Sequence, residues 1–194
     1  MSEEYLIRNC APTLAGIKTA SLFSCPYESR EALLNDLRLV NRRLNTKGLR
    51  ILPLRFSGKR ALIYLYRTSQ LAADLSGDAA AQILRQKGYT PDSCGKCLVL
   101  LARKLRQQEE FPHEIGLFLG YPPEDVCGFM ENRACGCKCV GCWKVYGDEQ
   151  AARRQFARYK KCTRVYCDQW KKGRTVEQLA VKHENTPMFI DTAR

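Results

Sequence analysis

The sequence predicts an α+β domain, mainly helical, built around one small antiparallel sheet. Three observations predict it. Apolar residues recur at helical spacing along most of the chain. Two strand-like runs, "LRILPLRF" and "RALIYLYR", bracket Ser57, Gly58 and Lys59 as a hairpin over about 50–66. Helices and strands also segregate along the chain instead of alternating, the pattern of α+β packing. A chain of 194 residues can bury a sizeable core without staples, and it reads as one domain over 1–194 with 183–194 as a loosely ordered tail.

Taken in order, "APTLAGIKTASLF" predicts a short helix with Pro12 in its first turn, where a missing N–H costs nothing. "ESREALLNDLRLVNRRLNTKG" carries Leu33, Leu34, Leu37, Val40 and Leu44 on one helical face and stops at Gly48. Pro53 places the first strand of the hairpin at a sheet edge. The second, apolar on both faces from Leu62 to Tyr66, belongs at the centre. Helices follow near 69–75, 79–87 and 94–107. "FPHEIGLFLGYPPEDVCGFMEN" reads as two short helices broken at Gly120–Tyr121. They fold into a packed hairpin with Ile115, Phe118, Leu119, Val126, Phe129 and Met130 facing inward. "CWKVYG" is a third strand at about 142–146. A long amphipathic helix from about 148 to 172 and a shorter one near 175–182 close the fold.

Composition narrows the setting. The start, "MSEEYLIRNC", is acidic and lacks the apolar run of a signal peptide, and no stretch reaches the length of a membrane span. The expected location is the cytoplasm, with no membrane partner. There, eleven cysteines point to metal ligands, reactive thiols or buried residues instead of disulfides.

The cysteines concentrate in "RACGCKCVGCWKVYGD". Cys139 and Cys142 have the C-x₂-C spacing that places two thiolates on one ion, and Cys135 and Cys137 flank them. Cys94 and Cys97 are a second such pair, and Cys127 is a further donor. These residues are the candidate metal ligands, with Zn²⁺ or an Fe–S cluster as the cofactor they would suit. Cys94-Gly-Lys-Cys97 also opens a helix as a redox dithiol would, but the turn "QKGYTPDS" precedes it where a thioredoxin-like unit needs a strand.

The net charge of +12 is concentrated in the last third, where Arg133 to Arg174 holds twelve Lys or Arg against three acids. On the long helix, at about 100° per residue, Arg153, Arg154, Arg158, Lys160, Lys161, Arg164, Lys171 and Lys172 share an arc of about 160°. Ala152, Phe156, Tyr159, Tyr166 and Trp170 take the other side. Arg153, Arg154, Arg158, Lys160, Lys161 and Arg164 are therefore the candidate anion-binding residues. They suit phosphate, a polyanion such as nucleic acid, or an acidic protein.

A candidate small-ligand pocket draws on Thr13, Lys18, His113, Glu114 and Trp143. In "CAPTLAGIK", helix N-terminal amides would converge with Thr13 and Lys18 on a small anion. His113 and Glu114, adjacent on a helix, diverge by about 100° and do not form a proton-transfer pair by themselves. "EIGLFLGYPPEDV" imitates a helix-turn-helix, but Glu124 and Asp125 stand where phosphates would come.

Together, "APTLAGIK", "FPHEIGLFLGYPPEDVCGF" and "WKVYGD" resemble a bacterial family, found mostly in anaerobes, catalogued as the domain of unknown function 3793. The resemblance covers almost the whole chain. It implies a cytosolic, anaerobic setting and supplies no activity, cofactor or catalytic residue.

The reading that results is a non-catalytic cytosolic binding protein with a basic helix face and a thiolate metal site. An enzyme acting on a small anionic substrate near His113 and Lys18 is one alternative. A helix-turn-helix DNA-binding regulator is the other.

Overall fold

The computed structural model describes residues 2–107, 110–132 and 135–182; the expected tail at 183–194 lies outside them. The chain runs α1 (Glu3–Leu14), β1 (Ala20–Pro26), α2 (Arg30–Leu44), β2 (Leu49–Ser57) and β3 (Arg60–Arg67), then α3 (Thr68–Ser76), α4 (Asp78–Gln86) and α5 (Cys94–Gln107). The remainder is α6 (Ile115–Phe118), α7 (Pro123–Glu131), β4 (Cys139–Val140), β5 (Lys144–Val145), α8 (Glu149–Lys171) and α9 (Val176–Leu179). This is the α+β class expected from the sequence. No helix among the described residues is long and apolar enough to cross a membrane.

β1, β3 and β2 form an antiparallel sheet in that order, with β3 central and the proline-bearing β2 at an edge, as expected. Strand alternation splits the core between the two faces. Tyr64 and Tyr66 pack with α3 to α7, whereas Ile63 and Leu65 pack with α1, α2 and α9. The register shifts between Pro53 and Arg55. Leu54 is the extra residue, and Leu52 and Leu54, two apart, both face the Tyr64 side.

Two expectations are corrected. The stretch 11–23 is not one helix. α1 begins eight residues before Ala11, Pro12 lies in its last turn, and Ala20–Pro26 is the third strand of the sheet. Gly16, at φ 77°, makes the reversal between them. The predicted strand at 142–146 exists as β5, but it pairs with Cys139–Val140 as a separate two-stranded ribbon and not with the 50–66 hairpin.

Burial of Arg67 explains the "APTLAGIK" turn. Its guanidinium, 1% exposed, donates to the Thr13 and Leu14 carbonyls at 2.7 Å each and to the Val181 carbonyl at 2.9 Å. The orphan carbonyls of the α1 C-terminus thus gain a buried cationic cap, where the helix dipole favours positive charge. A Cβ at Gly16 would meet that guanidinium only at ordinary contact distance, 3.5 Å, so it is the positive φ that calls for glycine there.

Candidate functional site

The three stretches that carry the family resemblance meet in one aromatic cluster. Asp125, 3% exposed in the first turn of α7, accepts the Trp143 indole N–H and the backbone N–H groups of Tyr146 and Gly147, each at 2.7 Å. Trp143 stacks on Tyr121 at 4.7 Å and receives the edge of Phe156, from α8, at 4.6 Å. The Tyr121 hydroxyl donates to the Cys142 carbonyl, and the Lys18 ammonium lies 5.4 Å from the Tyr121 ring and 5.8 Å from that of Tyr159. Glycine permits this packing. A Cβ at Gly128 would strike Tyr146, and one at Gly141 would strike the Phe156 ring.

Cavities flank the cluster. One, about 550 Å³, opens between the α1–β1 connection and α8; Asn9, Lys18, Cys142, Lys160, Thr163 and Arg164 are among its walls. No described carboxylate lines it. Burial beside the two tyrosines lowers the Lys18 pKa, with the Cys142 and Cys10 thiols acting in the opposite sense. Burial likewise raises Tyr121 to about 12 and raises the Cys142 thiol, which the Lys18 charge partly offsets.

A second cavity, about 320 Å³, lies between α7 and the β4–β5 ribbon and is walled mainly by aromatic and aliphatic groups, with His113, Trp143 and Lys144 among them. The His113 ring meets Phe129 edge-on at 4.9 Å, and its Nε2 is 3.6 Å from a Glu110 oxygen.

The structure disperses the other pocket residues. Thr13 is fully buried, with its hydroxyl 2.9 Å from that of Ser21. The helix end beside Thr13 and Lys18 is a C-terminus and presents carbonyls, so the expected N-terminal amides are absent from it. Glu114 is buried away from solvent, where Lys104 donates to it at 2.8 Å and the Tyr89 hydroxyl at 3.0 Å. Burial alone would raise its pKa, but the bond and charge of Lys104 and the Tyr89 bond hold it below the usual carboxylate range. Lys18 and His113 line separate cavities, which share the aromatic cluster as their partition.

Arg153, Arg154, Arg158, Lys160, Lys161, Arg164 and Lys171 on α8, and Lys172 at its C-cap, are all exposed, while Ala152 and Tyr159 are buried. Arg153 pairs with Glu149 at 2.7 Å and Arg158 donates to Gln155. Gln155 also reaches the Ile17 carbonyl at 3.3 Å, tying α8 to the connection that carries Lys18.

The thiols are spread out. Cys139 is on β4 and Cys142 at the exposed ribbon tip, facing Lys18; Cys135 and Cys137 precede the ribbon. Cys97 is fully buried against the sheet and bonds the Thr90 carbonyl, with Cys94 and Cys127 at the edge of the same core. Among the described residues, no group of three or more His, Cys, Asp or Glu side chains is arranged to hold a metal ion.

Tyr121, Tyr159 and Arg67 were not among the site residues expected from the sequence. Their signal was aromatic or cationic residues with no local partner, which only the fold supplies. The family model described as "Protein of unknown function (DUF3793)" matches residues 6–180. No curated protein and no solved structure matches the chain.

Proposed function

We propose, for a chain that belongs to the DUF3793 family over residues 6–180, that its function is to bind a phosphate-bearing ligand in the cleft between the α1–β1 connection and α8. One observation carries the reading. Lys18, from one element, converges with Lys160 and Arg164, from another, on a cavity of about 550 Å³ with no described carboxylate on its walls. A solvated helix face explains exposed cations but not a half-buried Lys18 whose ammonium pKa is lowered by desolvation. An anion in the cleft would offset the cost of holding that ammonium between two tyrosine rings.

A longer polyanion fits the same face. The exposed cations Arg153, Arg154, Arg158, Lys160, Lys161, Arg164 and Lys171 run along a helix of 23 residues, about 34 Å, and Lys172 caps it. α7 supports the DNA-regulator alternative less well, since it carries no Lys or Arg and buries Asp125, Val126 and Gly128.

Titration with tripolyphosphate and with a single-stranded 12-mer, each over a range of salt, tests the reading. Both should bind with affinity falling steeply as salt rises. Lys160→Glu/Arg164→Glu should weaken both at least tenfold, and Lys18→Met should weaken tripolyphosphate most. Unchanged binding in the double variant would sink the proposal.

A thiolate metal centre is a separate proposal. It would rest on Cys139 on β4 and Cys142 at the ribbon tip, and needs further sulfurs to close on them. Stoichiometric zinc or iron in protein purified without oxygen, lost in Cys139→Ser/Cys142→Ser, supports it; metal-free wild-type protein removes it.

A further inference from the structure

The smaller cavity differs in kind from the cationic cleft, and we propose that it binds a planar aromatic small molecule bearing one hydrogen-bonding substituent, which pairs with His113. Its volume of about 320 Å³ lies within the range of ligand pockets. Its inner wall is buried, with Ile115 at 6% and Val126 at 4% exposure. Its outer rim is open, with Phe111 at 38% and Val140 at 68%. Solvent therefore reaches a recess whose remaining walls include Tyr121, Phe129 and Trp143.

Those walls are held in advance. The Asp125 bond fixes the Trp143 indole and satisfies its only donor, so the ring offers apolar and π surface alone. Tyr121 stacks on Trp143, and a Cβ at Gly116 would collide with Val126 and crowd Tyr121, so glycine keeps the recess closely packed there. A ligand would not have to order these groups on entry, which favours binding. Aromatic walls select a flat π system over a saturated ring of the same size, because edge-to-face and offset contacts add to burial.

The polar complement is small. Asp125 already accepts three hydrogen bonds, each at 2.7 Å. Besides Lys144, His113 brings to this wall an imidazole that can donate and accept; its side chain is 39% exposed and its Nε2 stands 3.6 Å from a Glu110 oxygen, longer than a hydrogen bond. One hydroxyl or carbonyl on the ligand would complete it. The two most distinctive stretches of the chain, 111–129 and 143–148, both contribute walls to this cavity.

The test uses a Trp170→Phe chain, which leaves Trp143 as the only tryptophan of the two. Its fluorescence is followed during titration with 2-naphthol, naphthalene and decahydro-2-naphthol. 2-Naphthol should quench Trp143 saturably and bind at least tenfold more tightly than the saturated analogue. His113→Ala should weaken 2-naphthol several-fold and leave naphthalene unchanged. Val126→Phe should fill the recess without adding a tryptophan and abolish binding of all three. If that variant fails to fold, Phe129→Leu serves instead, lowering affinity for 2-naphthol but not for decahydro-2-naphthol. Equal affinity for the aromatic and saturated probes, or no saturable quenching, overturns the proposal. Tripolyphosphate binding should be unaffected by Phe129→Leu, which separates this site from the cationic cleft.

Discussion

The Asp125 carboxylate and the Trp143 indole are joined at 2.7 Å, with Asp125 only 3% exposed. That bond, together with the two backbone N–H groups of Tyr146 and Gly147, ties the first turn of α7 to the segment after the cysteine run. The same indole supports Tyr121, over whose ring Lys18 lies. A single buried acid thus sets the partition between the two cavities. Asp125→Ala would leave three donors without their acceptor, and an unpaired buried donor costs about 1–3 kcal/mol. Loss of stability should be at least ~2 kcal/mol in urea unfolding, with a red shift of Trp143 emission. A variant as stable as wild type would show that the partition stands without the carboxylate.

Phe118 is fully buried, packs against Tyr89 at a ring distance of 5.5 Å, and belongs to the core on the Tyr64 side of the sheet. Phe118→Ala should cost about 3–5 kcal/mol, the usual penalty of the cavity and lost transfer energy. The check is the unfolding midpoint at unchanged m-value.

Glu114 predicts an acid-sensitive contribution to stability. Its folded pKa lies below the usual value, so its ion pair with Lys104 stabilises the fold above the unfolded-chain pKa of about 4.3 and loses that effect as pH falls through the lower folded value. Glu114→Gln should lower stability at pH 7 by about 1–3 kcal/mol. The gap from wild type should close as pH falls below about 4. Stability curves for the two chains between pH 3 and pH 7 measure it; parallel curves would contradict the pairing.

Cys142 stands at the exposed ribbon tip and lines the cationic cleft, whereas Cys10 and Cys97 are fully buried. Alkylation under native conditions should label Cys142 and leave Cys10 and Cys97 unmodified, read by peptide mass mapping. Tripolyphosphate at saturating concentration should slow the labelling of Cys142 several-fold and leave Cys135 unaffected. Equal slowing at both would mean that the ligand does not occupy the cleft.

Several features were legible from residue order alone. α5 runs from Cys94 to Gln107 as its periodicity predicts, and α8 agrees within about a residue, because long amphipathic helices carry their signal locally. The central position of β3 was legible in its apolar residues on both faces, and the edge position of β2 in Pro53. β1 was not. Ala20 to Pro26 is a short run apolar on both sides, which reads equally as helix, and only pairing with β3 decides it. The ribbon at 139–145 is likewise too short to declare its partner.

The sequence by itself determined the helical α+β class, the cationic face of α8 and the inward helical hairpin residues Ile115 and Phe118, since each depends on spacing within one segment. Tertiary structure decided which of the expected site residues meet. It buried Thr13 and Glu114 among local partners, put Lys18 with Lys160 and Arg164, and set His113 beside Trp143 in a different cavity. It also placed Arg67 on the carbonyls of a helix 53 residues away in sequence. Burial and the pairing of distant polar groups are properties of the closed chain, because desolvation assigns a cost to each charge only once packing has chosen its neighbours.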